Sequence, residues 1–101
     1  MLFQEALGEV IREERLAQGR TLRDLSRAGF IALGYLSEIE RGQKCASSEI
    51  IEMLANGLGK PAYELVIEAG YRMSAETISD TVEKFYERTH EWVSQYSDLV
   101  R

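Results

Sequence analysis

Proline occurs once in this 101-residue chain, at Pro61, and cysteine once, at Cys45. A lone cysteine excludes an internal disulfide and the Cys clusters of structural zinc sites, so stability must come from packing and association. No apolar run approaches the ~18 residues a membrane-spanning helix needs. The first twenty residues are charged throughout rather than built like a signal peptide, so a cytoplasmic protein with no membrane association is expected. Gly-rich phosphate loops, nucleophile elbows and metal-ligand pairs are missing, and His90 has only Glu87 and Glu91 beside it. No enzymatic activity, cofactor or metal is therefore expected.

Positive charge is also scarce, with a formal net charge of -5, which on its face argues against a nucleic-acid partner. The distribution argues otherwise. Residues 12–44 hold seven basic side chains against five acidic, a net of +2, whereas residues 61–101 hold four against eight, a net of -4. Such segregation lets one region bind phosphates while the rest repels them.

What is present is helical patterning. At 45% hydrophobic, the chain has the makings of one small domain plus an appendage. Apolar residues recur three or four apart almost everywhere, which predicts an all-α fold. A first helix is expected over residues 4–18, with Leu7, Val10 and Ile11 inward. Thr21, with Asp24 three residues on, predicts a capped second helix carrying Leu22 and Leu25. A third is expected over residues 32–41, burying Leu36, Ile39 and part of Tyr35. Ser47 or Ser48 opens a fourth with Ile50, Ile51, Leu54 and Leu58, and Pro61 opens a fifth running through Ala69. Residues 1–70 then form one domain, and Gly70-Tyr71-Arg72-Met73 is the expected junction to a C-terminal helix over residues 71–101.

Two short helices joined by a tight turn are either a plain hairpin or a DNA reader. Thr21-Leu22-Arg23-Asp24-Leu25 followed by Gly34-Tyr35-Leu36-Ser37-Glu38-Ile39-Glu40-Arg41-Gly42 resembles the Cro and phage-repressor type of helix-turn-helix regulators, the XRE family, over roughly residues 7–69. More narrowly, residues 33–44 with Ala46-Ser47-Ser48-Glu49 resemble the actinobacterial regulators of Clp protease genes. The resemblance implies a five-helix lambda-repressor-like domain whose third helix enters the major groove of double-stranded DNA. Ala32, Leu33, Gly34, Ser37 and Glu38 would then lie nearest the bases, and Thr21, Arg23, Tyr35, Arg41, Gln43 and Lys44 would grip phosphates, with Arg20 adding to the grip. Arg15 and Glu40 would form a structural ion pair. Neither Arg nor Asn stands on the base-facing side, so readout would rest on thymine methyls, the Ser37 hydroxyl, Glu38 with a cytosine amine, and DNA shape.

Three positions depart from the family pattern. Leu22 replaces the usual phosphate-anchoring Gln, Phe30 the turn glycine, and Ala32 the capping Ser or Thr. The turn is accordingly expected to be held by packing of Phe30 and Ile31, with Gly29 absorbing the strained angle. Tyr35 reads equally as half-buried packing, Arg27, Arg72 and Lys84 as solvated surface charge, and Cys45 as an incidental thiol. The functional expectation is a sequence-specific transcriptional regulator, with an antitoxin or other protein-interaction module as the alternative on the same fold.

The most regular pattern lies at the end of the chain. Ile78, Val82, Phe85, Thr89, Trp92, Tyr96 and Leu99 are spaced alternately four and three residues apart, the stripe of a helix packed along its length. It predicts a homodimer interface and hence an inverted-repeat operator.

Overall fold

A computed structural model describes residues 1–75 and 87–88. The dimer-interface candidates Ile78, Val82, Phe85, Thr89, Trp92, Tyr96 and Leu99, together with Lys84 and His90, lie outside the described residues. Five helices follow in order: α1 (Phe3–Ala17), α2 (Leu22–Gly29), α3 (Leu33–Glu40), α4 (Ser48–Leu58) and α5 (Ala62–Ala75). No strand occurs among the described residues, and no described helix is long and apolar enough to cross a membrane.

Local chemistry sets the helix starts. At the head of α2 the Thr21 hydroxyl accepts the Asp24 N–H at 3.1 Å, and the Asp24 carboxylate accepts the Thr21 N–H at 2.9 Å, closing a reciprocal cap. The Ser47 hydroxyl accepts the Ile50 N–H at 3.3 Å and opens α4. The Glu5 carboxylate does the same for the Leu2 N–H at 2.9 Å before α1.

The inward faces meet in one core of Ala6, Leu7, Val10, Ile11, Leu25, Ile31, Leu36, Ile39, Ala46, Leu54, Ala55, Leu58, Leu65 and Ala69. Leu22, Tyr35, Ile50 and Ile51 pack against it half-buried. Helix α1 lies against both α3 and α5, and α2 lies against α4. Two close approaches need glycine. A Cβ at Gly8 would collide with the Ile39 carbonyl oxygen and lie 2.8 Å from that of Glu40, so Gly8 lets α1 cross the end of α3. A Cβ at Gly57 would lie 3.0 Å from the Gly29 nitrogen, so the α2–α4 crossing has the same requirement.

Helix α5 does not stop at Ala69. It continues through Gly70 to Ala75, although a glycine costs a helix interior about 1 kcal/mol relative to alanine. Tertiary contacts offset that cost: Met73 packs on the core, and Arg72 reaches back to α1, bonding Glu13 and contacting Glu9 at 3.4 Å. Arg72 is thus a clamp rather than solvated surface charge.

Candidate nucleic-acid interface

Helix α3 is short, and its burial is one-sided. Leu36 and Ile39 are 0% and 1% exposed, Glu40 is buried with them, and Tyr35 is half-buried. At 100° per residue the remaining positions form one continuous outward arc, with Leu33, Ser37 and Arg41 along one edge and Gly34 and Glu38 along the other. Ala32, Leu33 and Gly34 are exposed at its N-terminal end, whereas Ser37 and Glu38 are half-buried one turn further on. Ala32 occupies the N-cap position without a side-chain bond, so it offers the first turn no acceptor. The leading N–H groups of α3 therefore stay free for an outside partner.

The orientation of this arc is held by Arg15. Its Nε donates to Glu40 Oε2 at 2.8 Å and its Nη2 to Oε1 at 2.9 Å, a two-pronged bond with both residues 9% exposed. Nη1 donates to the Arg20 carbonyl at 2.9 Å, so one guanidinium ties α1 to the end of α3 and to the segment entering α2. The carboxylate keeps Arg15 above its ordinary range, against the opposing effect of burial.

The flanks of the arc carry the cations. On one side a depression of about 430 Å³ is lined by Arg12, Arg15, Leu22, Ser37, Glu40 and Arg41, which brings the first turn of α2 beside α3. Thr21 and Arg23 are exposed at that same turn. The Thr21 backbone N–H holds the Asp24 carboxyl below its ordinary range, so the turn keeps a charged cap. On the other side Lys44 Nζ sits 3.1 Å from Glu38 and 6.0 Å from the centre of the Tyr35 ring, while Gln43 is exposed next to it. Glu38 thus carries its own cation in the unbound chain. Arg41 Nε donates to the Ser37 carbonyl at 3.3 Å.

Several residues stand differently from the sequence expectation. Arg20 Nη1 donates to the Gly57 carbonyl and, at 3.2 Å, to Gln18 Oε1, so it braces α4 instead of extending toward a phosphate. Phe30, not Gly29, takes the left-handed conformation at φ 56°, and its side chain is 86% exposed, so it does not hold the turn by packing. Gly29 is buried in α2 against α4, where a Cβ would lie 3.1 Å from the Met53 carbonyl oxygen, so this glycine serves the helix crossing and not the turn. Arg12, at the depression, was not signalled by any motif. Gly8 carried a signal, a glycine inside a strong helical pattern, which usually marks close packing. Cys45 is exposed, and among the described residues no cluster of His, Cys, Asp and Glu could hold a metal.

The helix-turn-helix family profile matches residues 11–65. The transcriptional regulator ClgR of Mycobacterium tuberculosis is 45% identical over 75 residues, 74% of this chain and 67% of that protein. The crystal structure of the clp gene regulator ClgR from Corynebacterium glutamicum superposes with a TM-score of 0.71 at 36% identity, covering 92% of this chain and 95% of the other. A restriction-modification controller protein, solved as a tetramer in complex with its natural 35 base-pair operator, superposes with a TM-score of 0.62 at 25% identity, covering 68% and 95%. The chain belongs to the helix-turn-helix family of XRE type and is a lambda-repressor-like DNA-binding transcriptional regulator related to ClgR.

Proposed function

We propose that the chain binds an inverted-repeat operator as a homodimer in the cytoplasm, laying α3 of each copy in successive major grooves, and controls protease or stress genes. The observation that carries the reading is the one-sided burial of α3. Its outward arc of Ala32, Leu33, Gly34, Ser37 and Glu38 is held rigid from behind by Arg15–Glu40 and flanked by cations at Arg12, Arg23, Arg41 and Lys44. Leu33 and Ala32 meet thymine methyls and the Ser37 hydroxyl meets a base edge. Glu38, released by Lys44 as Lys44 turns to a phosphate, accepts from a cytosine amine. Thr21, Arg23, Tyr35, Arg41, Gln43 and Lys44 fix the register on the backbone.

The pairing of two copies is supported by an apolar surface on α5 and by an apolar pattern in the sequence that follows it. Tyr63, Val66 and Ile67 on α5 are 64%, 41% and 53% exposed and share one helix face by their spacing. The stripe of Ile78, Val82, Phe85, Thr89, Trp92, Tyr96 and Leu99 follows in sequence, and residues 71–101 are proposed as the dimerisation segment following a DNA-binding domain of residues 1–70, to which Arg72 and Met73 anchor its root. Control of clp genes is the role that the name of the ClgR relatives suggests for this chain.

Selection of bound duplexes from a random pool tests the reading. It should return an inverted repeat with half-sites about 34 Å, one helical turn, apart. Recovery of no enriched sequence, or affinity for the enriched duplex equal to that for scrambled DNA at physiological salt, would refute it.

A further inference from the structure

Phe30 is the one described non-glycine residue with positive φ, and it is the most exposed large apolar side chain among the described residues. The positive φ costs the folded state, the exposed ring gains no burial within the chain in return, and glycine at this position would remove the strain. A position that keeps strain and exposure together calls for a compensating contact outside the chain.

The turn presents the ring from a rigid base. The Phe30 N–H donates to the Arg27 carbonyl at 3.3 Å, the Ile31 N–H to the Ser26 carbonyl at 3.0 Å, and the Ser26 hydroxyl to the Ile31 carbonyl. Gly29 and Ile31, on either side, are both buried. With both neighbours buried and the turn tied by these bonds, the backbone beneath the ring is fixed while the ring itself stands in solvent. Ala32 and Leu33 follow directly, and three residues of chain span at most ~11 Å, less than the ~12 Å width of the major groove. Between Asp24 and Glu38 the only charged side chain is Arg27, so the chain on either side of the ring carries no acidic group to repel a polyanion.

We propose that Phe30 is a DNA-contacting residue, its ring packing on the apolar part of the groove wall, a thymine C5-methyl or a deoxyribose, beside the bases that Leu33 faces. The proposal rests on α3 entering the major groove. An aromatic ring on a strained turn adds contact area where glycine would add none, which suits a recognition face without Arg or Asn.

The test uses the full-length chain and the duplex that the wild-type protein selects from a random pool. Phe30→Gly and Phe30→Asn should unfold at the wild-type temperature or above it, yet bind that duplex about tenfold more weakly, the order expected for losing a buried ring contact. Phe30→Tyr, which keeps the ring, should bind like wild type. Replacing each thymine in turn by deoxyuridine identifies the source: one position that weakens wild type but not Phe30→Asn marks a methyl, and no such position marks a deoxyribose. Wild-type affinity in Phe30→Gly and Phe30→Asn overturns the proposal, and joined to a loss of transcriptional effect it assigns the ring to a protein partner. A loss of stability in step with affinity also overturns it, by making Phe30 structural. Absence of any preferred duplex for the wild type is a separate result, which defeats the groove assignment itself.

Discussion

Replacing Arg15 by alanine would leave the Glu40 carboxylate, whose side chain is 5% exposed, without either of its two guanidinium bonds. Stranding a buried charge in this way costs ~3–5 kcal/mol, tempered by the water-accessible depression that Glu40 also lines. Glu40→Ala should sit in the lower half. There Arg15 retains its bond to the Arg20 carbonyl, and its long side chain can swing into the adjoining depression, where water reaches it. Against a total stability of ~5–15 kcal/mol either loss is a large fraction, and at ~4–8 °C per kcal/mol the melting temperature falls by well over 10 °C. The double change Arg15→Ala/Glu40→Ala leaves neither charge stranded, so it should be milder than the sum of the two single changes. A double-mutant cycle from urea unfolding at fixed protein concentration should give a coupling of ~2–3 kcal/mol. High salt should leave that coupling largely intact, since buried pairs are poorly screened. Single losses below ~1 kcal/mol that simply add would refute the reasoning and place the pair among exposed ones.

Gly8→Ala should destabilise by ~1–3 kcal/mol despite alanine's better helix propensity, because its methyl meets the Ile39 and Glu40 carbonyls; thermal unfolding checks this, and a stabilised variant would mean that the two helices separate at no cost. Asp24, Glu13 and Glu14 are held below their ordinary values by hydrogen bonds from Thr21, Arg72 and Gln18 respectively. Groups with depressed folded values stabilise above their unfolded values, so stability should be flat near neutrality and fall as pH drops below the ordinary carboxylate values of 3.8 and 4.5; a decline setting in between pH 7 and 6 would contradict these assignments. Ile67→Glu and Trp92→Glu should each shift the protein toward monomer in sedimentation velocity at tens of micromolar and weaken binding to the inverted repeat more than to a single half-site. A wild-type monomer at that concentration, or two unaffected dimers, would remove residues 71–101 and the α5 face from the interface.

The helices were legible because their determinants are local. Leu7, Val10 and Ile11 recur at helical spacing, and the Thr21–Asp24 cap and Ser47 need only their own three-residue neighbourhood. The candidate DNA face was legible as well, since the Gly34–Gly42 run fixes which positions of a short helix turn outward once Leu36 and Ile39 turn in. Its flanks were less so, because Arg12 and Leu22 meet Ser37 and Arg41 only across a helix crossing.

From the sequence alone came the all-α class, the helix order and the outward arc of α3, consequences of periodicity and of contacts within about four residues, and the family, through the resemblance of the Thr21–Leu25 and Gly34–Gly42 runs. Tertiary structure decided whatever depends on residues distant in the chain. It extended α5 through Gly70, because Met73 and Arg72 find the core and α1. It made Arg20 a brace for α4, because the Gly57 carbonyl stands within reach. It put the strained angle at Phe30 and gave Gly29 to the α2–α4 crossing, where a Cβ would press on the backbone of α4. Local pattern states what each residue prefers, but a Cβ has room or lacks it only in relation to a helix folded back from elsewhere.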